Sequence, residues 1–386
     1  MIQGIVNTDT GDDIEMIICS DGIADGTNIT DADGDYDDVS TDGIIKEVEG
    51  QAYDKTPKKG RRQIVSLSIG LLIGTVISLT VFIVANVRSG SMVPTIITSV
   101  IHEQAFCFWY PRPPSFAGKK GVALVLNDDD VVDGPRSSTR NVPILKSLRP
   151  YWNYGWSVVR STMQPDDIEW VPMVWGGQDA DTVKQRIDTY VVPHLQSGKV
   201  KRILGFNEPD SSSQSNMTVD QALEIWPSLE YTNVSVISPS CVFPAREWMQ
   251  SFMITSINTC KRVDWVAVHW YGSANFIPFR DTIRNYYYMY GKKPIIITEF
   301  AVADYITTTL EGNGNTREEV LSFMKQALPW LESRSWIVGY AWFSFNINDT
   351  KGWTSALYDD FGQLTPLGKF YSSVRKETPY GNTTIR

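Results

Sequence analysis

From Gly121 to the C-terminus the chain alternates short β-branched or aromatic runs with amphipathic stretches, and that rhythm predicts a parallel α/β architecture. The predicted strands are Val122 to Leu126, Ser157 to Arg160, Trp170 to Trp175, Arg202 to Asn207, Val234 to Ser240, Trp265 to Trp270, Ile295 to Glu299 and Val338 to Phe345. Between them the apolar period lengthens and predicts helices such as Asp179 to Gln196, Val219 to Leu229, Arg246 to Thr259, Phe279 to Tyr290 and Thr316 to Ser333. Eight β/α units over about 250 residues is the size of a (β/α)8 TIM barrel. An open doubly wound sheet would carry a glycine-rich phosphate loop after its first strand. This chain has Asn127-Asp128-Asp129-Asp130 there, a run that repels phosphate and reads as a solvated loop.

A different pattern precedes the barrel. Ile64 to Val87 carries no charged residue and is rich in Ile, Leu, Val, Ser and Thr, which predicts one transmembrane helix. Five basic residues stand between Lys55 and Arg62, against Arg88 alone close behind the run. The positive-inside rule then places the N-terminus in the cytosol and the barrel outside or in a lumen, as a single-pass type II membrane protein. Residues 1–54 hold fifteen Asp or Glu and one Lys, the composition of a disordered acidic tail. Within it, Asp31 to Asp38 resembles a calcium loop but has Tyr36 where the sixth-place glycine belongs and Asp42 where the bidentate Glu belongs. The predicted domains are thus a tail over 1–62 ending in the basic segment, the helix over 63–87, a linker over 88–118 and a catalytic domain over 119–386.

Of the net charge of −9, the tail accounts for more than all, and the chain from Gln63 onward is balanced. No polyanion-binding surface, and hence no nucleic-acid partner, follows from its charge balance. Cys241 and Cys260 look like a pair in sequence, but the barrel places them at opposite ends of a strand–helix unit, too far apart for a disulfide. Asn216, Asn233, Asn348 and Asn382 begin glycosylation sequons in the exterior part, and Asn28 begins one that the topology keeps unmodified.

In a barrel the C-terminal strand ends converge on one face, where chemistry is found. Strand four ends in Gly205-Phe206-Asn207-Glu208-Pro209-Asp210 and strand seven in Ile297-Thr298-Glu299-Phe300-Ala301, so each delivers a Glu to that rim. Alternation predicts that Leu204, Phe206 and Glu208 face the barrel axis together, as do Ile295, Ile297 and Glu299. Facing carboxylates suit glycoside hydrolysis, one protonating the departing oxygen while the other attacks or activates water. A separation of about 5–5.5 Å implies retention, and about 6.5–9.5 Å implies inversion. His269 closes the apolar run of strand six and is placed to orient a carboxylate or a sugar hydroxyl. His102, His194 and His269 lack a zinc-ligand spacing, so no metal is expected. Trp175, Tyr271 and Trp342 are candidates to stack on sugar faces, whereas Trp270, of opposite parity to His269, should pack behind the strand.

The residues Gly205 to Asp210, Val263-Asp264-Trp265-Val266-Ala267-Val268-His269-Trp270-Tyr271-Gly272 and Thr298-Glu299-Phe300 together resemble glycoside hydrolase family 128, of the clan A glycoside hydrolases and the glycosyl hydrolase catalytic-core type. The resemblance covers about residues 119 to 373. It implies a retaining endo-β-1,3-glucanase without cofactor, with a β-glucan polysaccharide as partner. It implies Glu208 as acid/base, Glu299 as nucleophile and Asn207 as a ligand of the sugar 2-hydroxyl. Two other readings share the residues: a membrane-tethered, non-catalytic β-glucan-binding protein, and a clan A glycosidase acting on another polysaccharide.

Overall fold

The computed structural model describes residues 118–129, 131 and 134–374, together with the backbone of five strands nearer the N-terminus. Eight short parallel strands form the ring of a barrel: β1 (Lys120–Ala123), β2 (Trp152–Tyr154), β3 (Glu169–Trp170), β4 (Arg202–Leu204), β5 (Ser235–Ile237), β6 (Val266–Gly272), β7 (Ile295–Val302) and β8 (Ile337–Trp342). Ladders join β6, β7, β8, β1, β2 and β3 in that order, and β4 pairs with β5. The bridges Met173↔Leu204 and Ile237↔Trp265 close the two gaps, so the strands follow chain order around the ring.

Helices pack outside: α1 (Ser138–Leu148), α2 (Ala180–Tyr190), α3 (Val192–Gln196), α4 (Val219–Glu230), α5 (Glu247–Asn258), α6 (Phe276–Met289), α7 (Arg317–Ser333) and α8 (Pro366–Ser373). Their starts follow from local chemistry. Thr218 with Gln221, and Thr316 with Glu319, form reciprocal capping boxes, and Thr365 caps α8 with Pro366 in its first turn.

The predicted barrel is present, with two local corrections. Strand two is Trp152–Tyr154, not Ser157 to Arg160, because Trp152 and Tyr154 are the residues that fill the barrel. No helix joins β2 to β3: residues 155–168 are irregular, beginning with Trp156 in a left-handed conformation (φ 55°). Two apolar layers result. Inside the ring lie Tyr154, Met173, Leu204, Trp265, Ile296 and their neighbours. A larger cluster lies between strands and helices, where Trp226 meets Phe206 and Phe252 edge-on. Gly121 is required by this filling, since a Cβ there would stand 2.2 Å from the Trp152 ring.

The floor of the barrel holds charge. Arg202 is buried, makes a two-pronged bond to Glu169 (3.1 and 3.0 Å) and lies 4.9 Å from the Trp152 ring centre. The ammonium of Lys120 donates to Leu148 O, Tyr371 O and Ser372 O, carbonyls at the C-terminal ends of α1 and α8. Lys119 serves Leu331 O, Glu332 O and Arg334 O at the end of α7.

Nearer the N-terminus the predicted transmembrane helix over 63–87 is corrected. Arg62–Ile73 pairs antiparallel with Thr75–Asn86, and Pro94–Ile97 adds a third strand. The run's many Val, Ile and Thr residues suit a pleated backbone as well as a helix. No helix among the described residues is long and apolar enough to cross a membrane. In the acidic tail, Ile2–Asn7 pairs with Asp13–Ile18 where disorder was expected. The calcium-like run, Asn28 and Asn382 lie outside the described residues.

Candidate active site

Glu208 and Glu299 meet at the C-terminal mouth of the barrel, but simple alternation does not put them there. Phe206 points outward to Trp226, and Ile295 and Ile297 belong to the outer layer while Ile296 faces the axis. Glu208 is brought in by leaving the extended conformation, at φ 45°. Glu299 is brought in by a register shift. Val268 pairs with Ile297 and His269 with Glu299, so β7 accommodates the extra residue Thr298 and the parity reverses. Thr298 is held by Ser240 (Oγ–Oγ1 3.1 Å) and by the Tyr154 hydroxyl, which donates to its carbonyl. Gly205 allows the close approach of β4 and β5, where a Cβ would stand 2.9 Å from Ile237 O.

His269 lies between the carboxylates. Its Nδ1 is 2.9 Å from Glu208 Oε1 and its Nε2 3.5 Å from Glu299 Oε1. One ligand atom from each of Glu208, His269 and Glu299 lies within 4.8 Å of the other two, which bounds the closest approach of the carboxylates. Among the described residues this is the cluster a cation could use. Its atoms already bond within the cluster and to uncharged donors.

The two Glu sit in different surroundings. Glu299 Oε1 accepts from Trp156 Nε1 (2.8 Å) and the Tyr154 hydroxyl (3.3 Å), and Oε2 from the Tyr271 hydroxyl (2.5 Å). Burial, reinforced by the Glu299 charge, pushes both tyrosine hydroxyls well above their usual range, so they remain donors. Burial pulls the His269 imidazole down, but the Glu299 charge and the Glu208 bond outweigh it and leave its pKa raised. Glu208 has the more open side chain, 15% exposed against 6% for Glu299.

Both open into a cleft of about 1380 Å³. Of the predicted site residues, Asn207, Glu208, Tyr271, Glu299 and Trp175 line it. Trp175, on the segment after β3, is 41% exposed and free to stack. Asn207 is buried, with Nδ2 directed to Gln214 Oε1 (3.3 Å) and Oδ1 unpartnered. Trp342 is corrected. It is fully buried behind the sheet against Phe300, and its indole donates to Ser355 O, because its position on β8 faces the helices. Trp270 packs behind the strand against Phe279 and Phe323, as its parity predicts.

Sequence reasoning missed Tyr154, Trp156, Tyr305 and Phe343. The run Tyr151-Trp152-Asn153-Tyr154-Gly155-Trp156 was the available signal for the first two. Cys241 is free and buried while Cys260 is disulfide-bonded, so the two do not pair.

A family model described as the glycosyl hydrolase catalytic core matches residues 136–371. Among solved structures, a subgroup I endo-β-1,3-glucanase of glycoside hydrolase family 128 from Amycolatopsis mediterranei, in complex with laminaripentaose, is 26% identical with a TM-score of 0.53, covering 67% of this chain and 99% of that one. A subgroup III curdlan-specific exo-β-1,3-glucanase from Blastomyces gilchristii, in complex with glucose, is 26% identical with a TM-score of 0.50, covering 68% and 100%. A subgroup II endo-β-1,3-glucanase from Sorangium cellulosum, at 23% identity and TM-score 0.53 over 67% and 100%, shares the fold. No curated protein sequence matches the chain. With the family model spanning more than half of its length and these structures covered almost end to end, the chain belongs to the glycosyl hydrolase catalytic core family, alongside glycoside hydrolase family 128.

Proposed function

We propose that this protein is a retaining glycoside hydrolase that cleaves β-1,3-glucan internally. The observation that carries the reading is the pair Glu208 and Glu299, with one carboxylate oxygen of each within 4.8 Å of the other, opening into a wide cleft with exposed aromatic rings. That spacing favours direct attack, because inversion needs room for a water between carboxyl groups about 6.5–9.5 Å apart. The solved relatives, crystallised with laminari-oligosaccharides or described as curdlan-specific, support the substrate class.

The surroundings divide the roles. Three uncharged donors hold Glu299 as a carboxylate aimed from a buried nest, which suits the nucleophile. Glu208, with one ring nitrogen beside it and more access to solvent, suits the residue that must exchange a proton with water. Glu299 bonds to the anomeric carbon as the glycosidic C–O bond breaks, and the Glu208 proton passes to the departing oxygen. Glu208 then removes a proton from water, whose oxygen displaces Glu299 from the same carbon. Trp175, after β3, and Tyr305, after β7, stand on opposite sides of the ring, so a glucan crossing the cleft can extend both ways, supporting endo cleavage. The disulfide at Cys260 supports an oxidising compartment for the catalytic domain, outside the cell or in a lumen.

The test is full-length protein on laminarin, with Glu208→Gln and Glu299→Gln made separately and products sized over time. The expected result is a ladder of oligosaccharides from the wild type and a loss of at least about 10³-fold in kcat for each variant. Full activity in either variant would remove the dyad, and glucose as the sole early product would replace endo with exo action.

A further inference from the structure

The acidic run after β1 is not a merely solvated loop. Asp128, though at the surface, accepts four hydrogen bonds: from Ser138 Oγ (2.7 Å) and Ser161 Oγ (2.5 Å) on one oxygen, and from Thr162 N (2.6 Å) and Thr162 Oγ1 (2.8 Å) on the other. Ser138 opens α1, while Ser161 and Thr162 belong to residues 155–168, the one connection between consecutive barrel strands that carries no helix. A connection of that length without secondary structure is uncommon and has no helix face to pack it down. The bond from Arg160 to Gln164 O within it, and that from Gln164 to Asn153 on β2, shape it. Asp128 ties it to the loop after β1.

That connection matters to the reaction at two places. It carries Trp156, whose indole donates to Glu299, and it supplies Ser157, Val159 and Arg160 to the cleft lining beside Asn127 from the first loop. We infer that Asp128 is a positioning residue, clasping the helix-free β2–β3 connection to the β1 loop so that the cleft wall is set for the glucan before it arrives. The inference rests on the β-1,3-glucanase reading. The slight burial of Asp128 acts to raise its pKa, but the donors from Ser161, Ser138 and Thr162 outweigh it and hold it down at about 2, so the clasp is charged throughout the neutral range.

The experiment compares full-length wild type, Asp128→Asn and the opposite-side double variant Ser161→Ala/Thr162→Val on laminarihexaose, with amide hydrogen exchange followed over 155–168. The expected result for both variants is a rise in KM of about tenfold, the scale of one charge-assisted hydrogen bond, with kcat within about threefold and faster exchange over 157–164. Unchanged KM would overturn the inference, including the case in which apparent kcat drops because less protein is folded, since that is what a purely structural clasp would do. If Asp128→Asn does not fold, the double variant decides by the same criterion. Wild type inactive on laminarihexaose would instead fell the enzymatic reading, and the inference with it, so the two failures are distinguishable.

Discussion

The floor and the mouth of this barrel both bury charge, and they treat it oppositely. At the floor the cations meet fixed acceptors: Arg202 meets the Glu169 carboxylate, and Lys119 and Lys120 meet carbonyls at helix ends. At the mouth two carboxylates share a small space with a histidine and with neutral tyrosine and tryptophan donors, and no lysine or arginine bonds either one in the described structure. Charge that is fully matched stabilises and does nothing further. Charge held by neutral donors keeps its reactivity, because no counter-ion has to be displaced when a substrate carbon approaches.

Breaking each end should therefore give opposite results. Glu169→Gln leaves the Arg202 guanidinium buried without its counter-charge and should cost about 3–5 kcal/mol in urea unfolding, with kcat per folded molecule unchanged. Glu299→Gln should do the reverse, removing activity while the unfolding midpoint holds or rises. If both variants lost stability and activity alike, the distinction between the two ends would fail. Tyr271→Phe sharpens the picture at the mouth. It deletes the 2.5 Å donor to Glu299 and should lower kcat about tenfold to a hundredfold, with less effect on KM, in steady-state kinetics.

The smallest effect expected is the pH dependence of His269. Its folded pKa is raised above the ordinary value of about 6.5, so its contribution to stability is complete below that pH and is lost as pH climbs through the raised folded value. The melting temperature of wild type should exceed that of His269→Gln most on the acid side, and the gap should narrow as pH rises above the ordinary histidine range. A gap independent of pH would mean that His269 acts by packing alone.

How legible this was in the sequence depended on range. The β-branched runs announce most barrel strands because each is buried on both faces, and Thr218, Thr316 and Asp179 announce helix starts by local chemistry. Strand two was misplaced because Ser157 to Arg160 has the β-branched look, while the actual strand is an aromatic plug whose role is visible only against Gly121 and Arg202. The meeting of Glu208 and Glu299 at the mouth is legible, though by a wrong alternation. The shift at Thr298 depends on Ser240 and Tyr154, far away in sequence, and no local pattern reports it. Trp342 misled for the same reason, since being on strand eight does not say which side of the sheet an indole takes. The run over 64–87 shows the converse, with apolar character plain and backbone form not.

The central claim is that Glu299 bonds to the sugar with Glu208 serving first as acid and then as base. The most direct measurement follows laminarin hydrolysis by proton NMR from the first seconds and identifies the anomer released before mutarotation. The account predicts the β-anomer first, the configuration of the starting linkage. The α-anomer first would mean that water, not Glu299, attacks the anomeric carbon, and would contradict it.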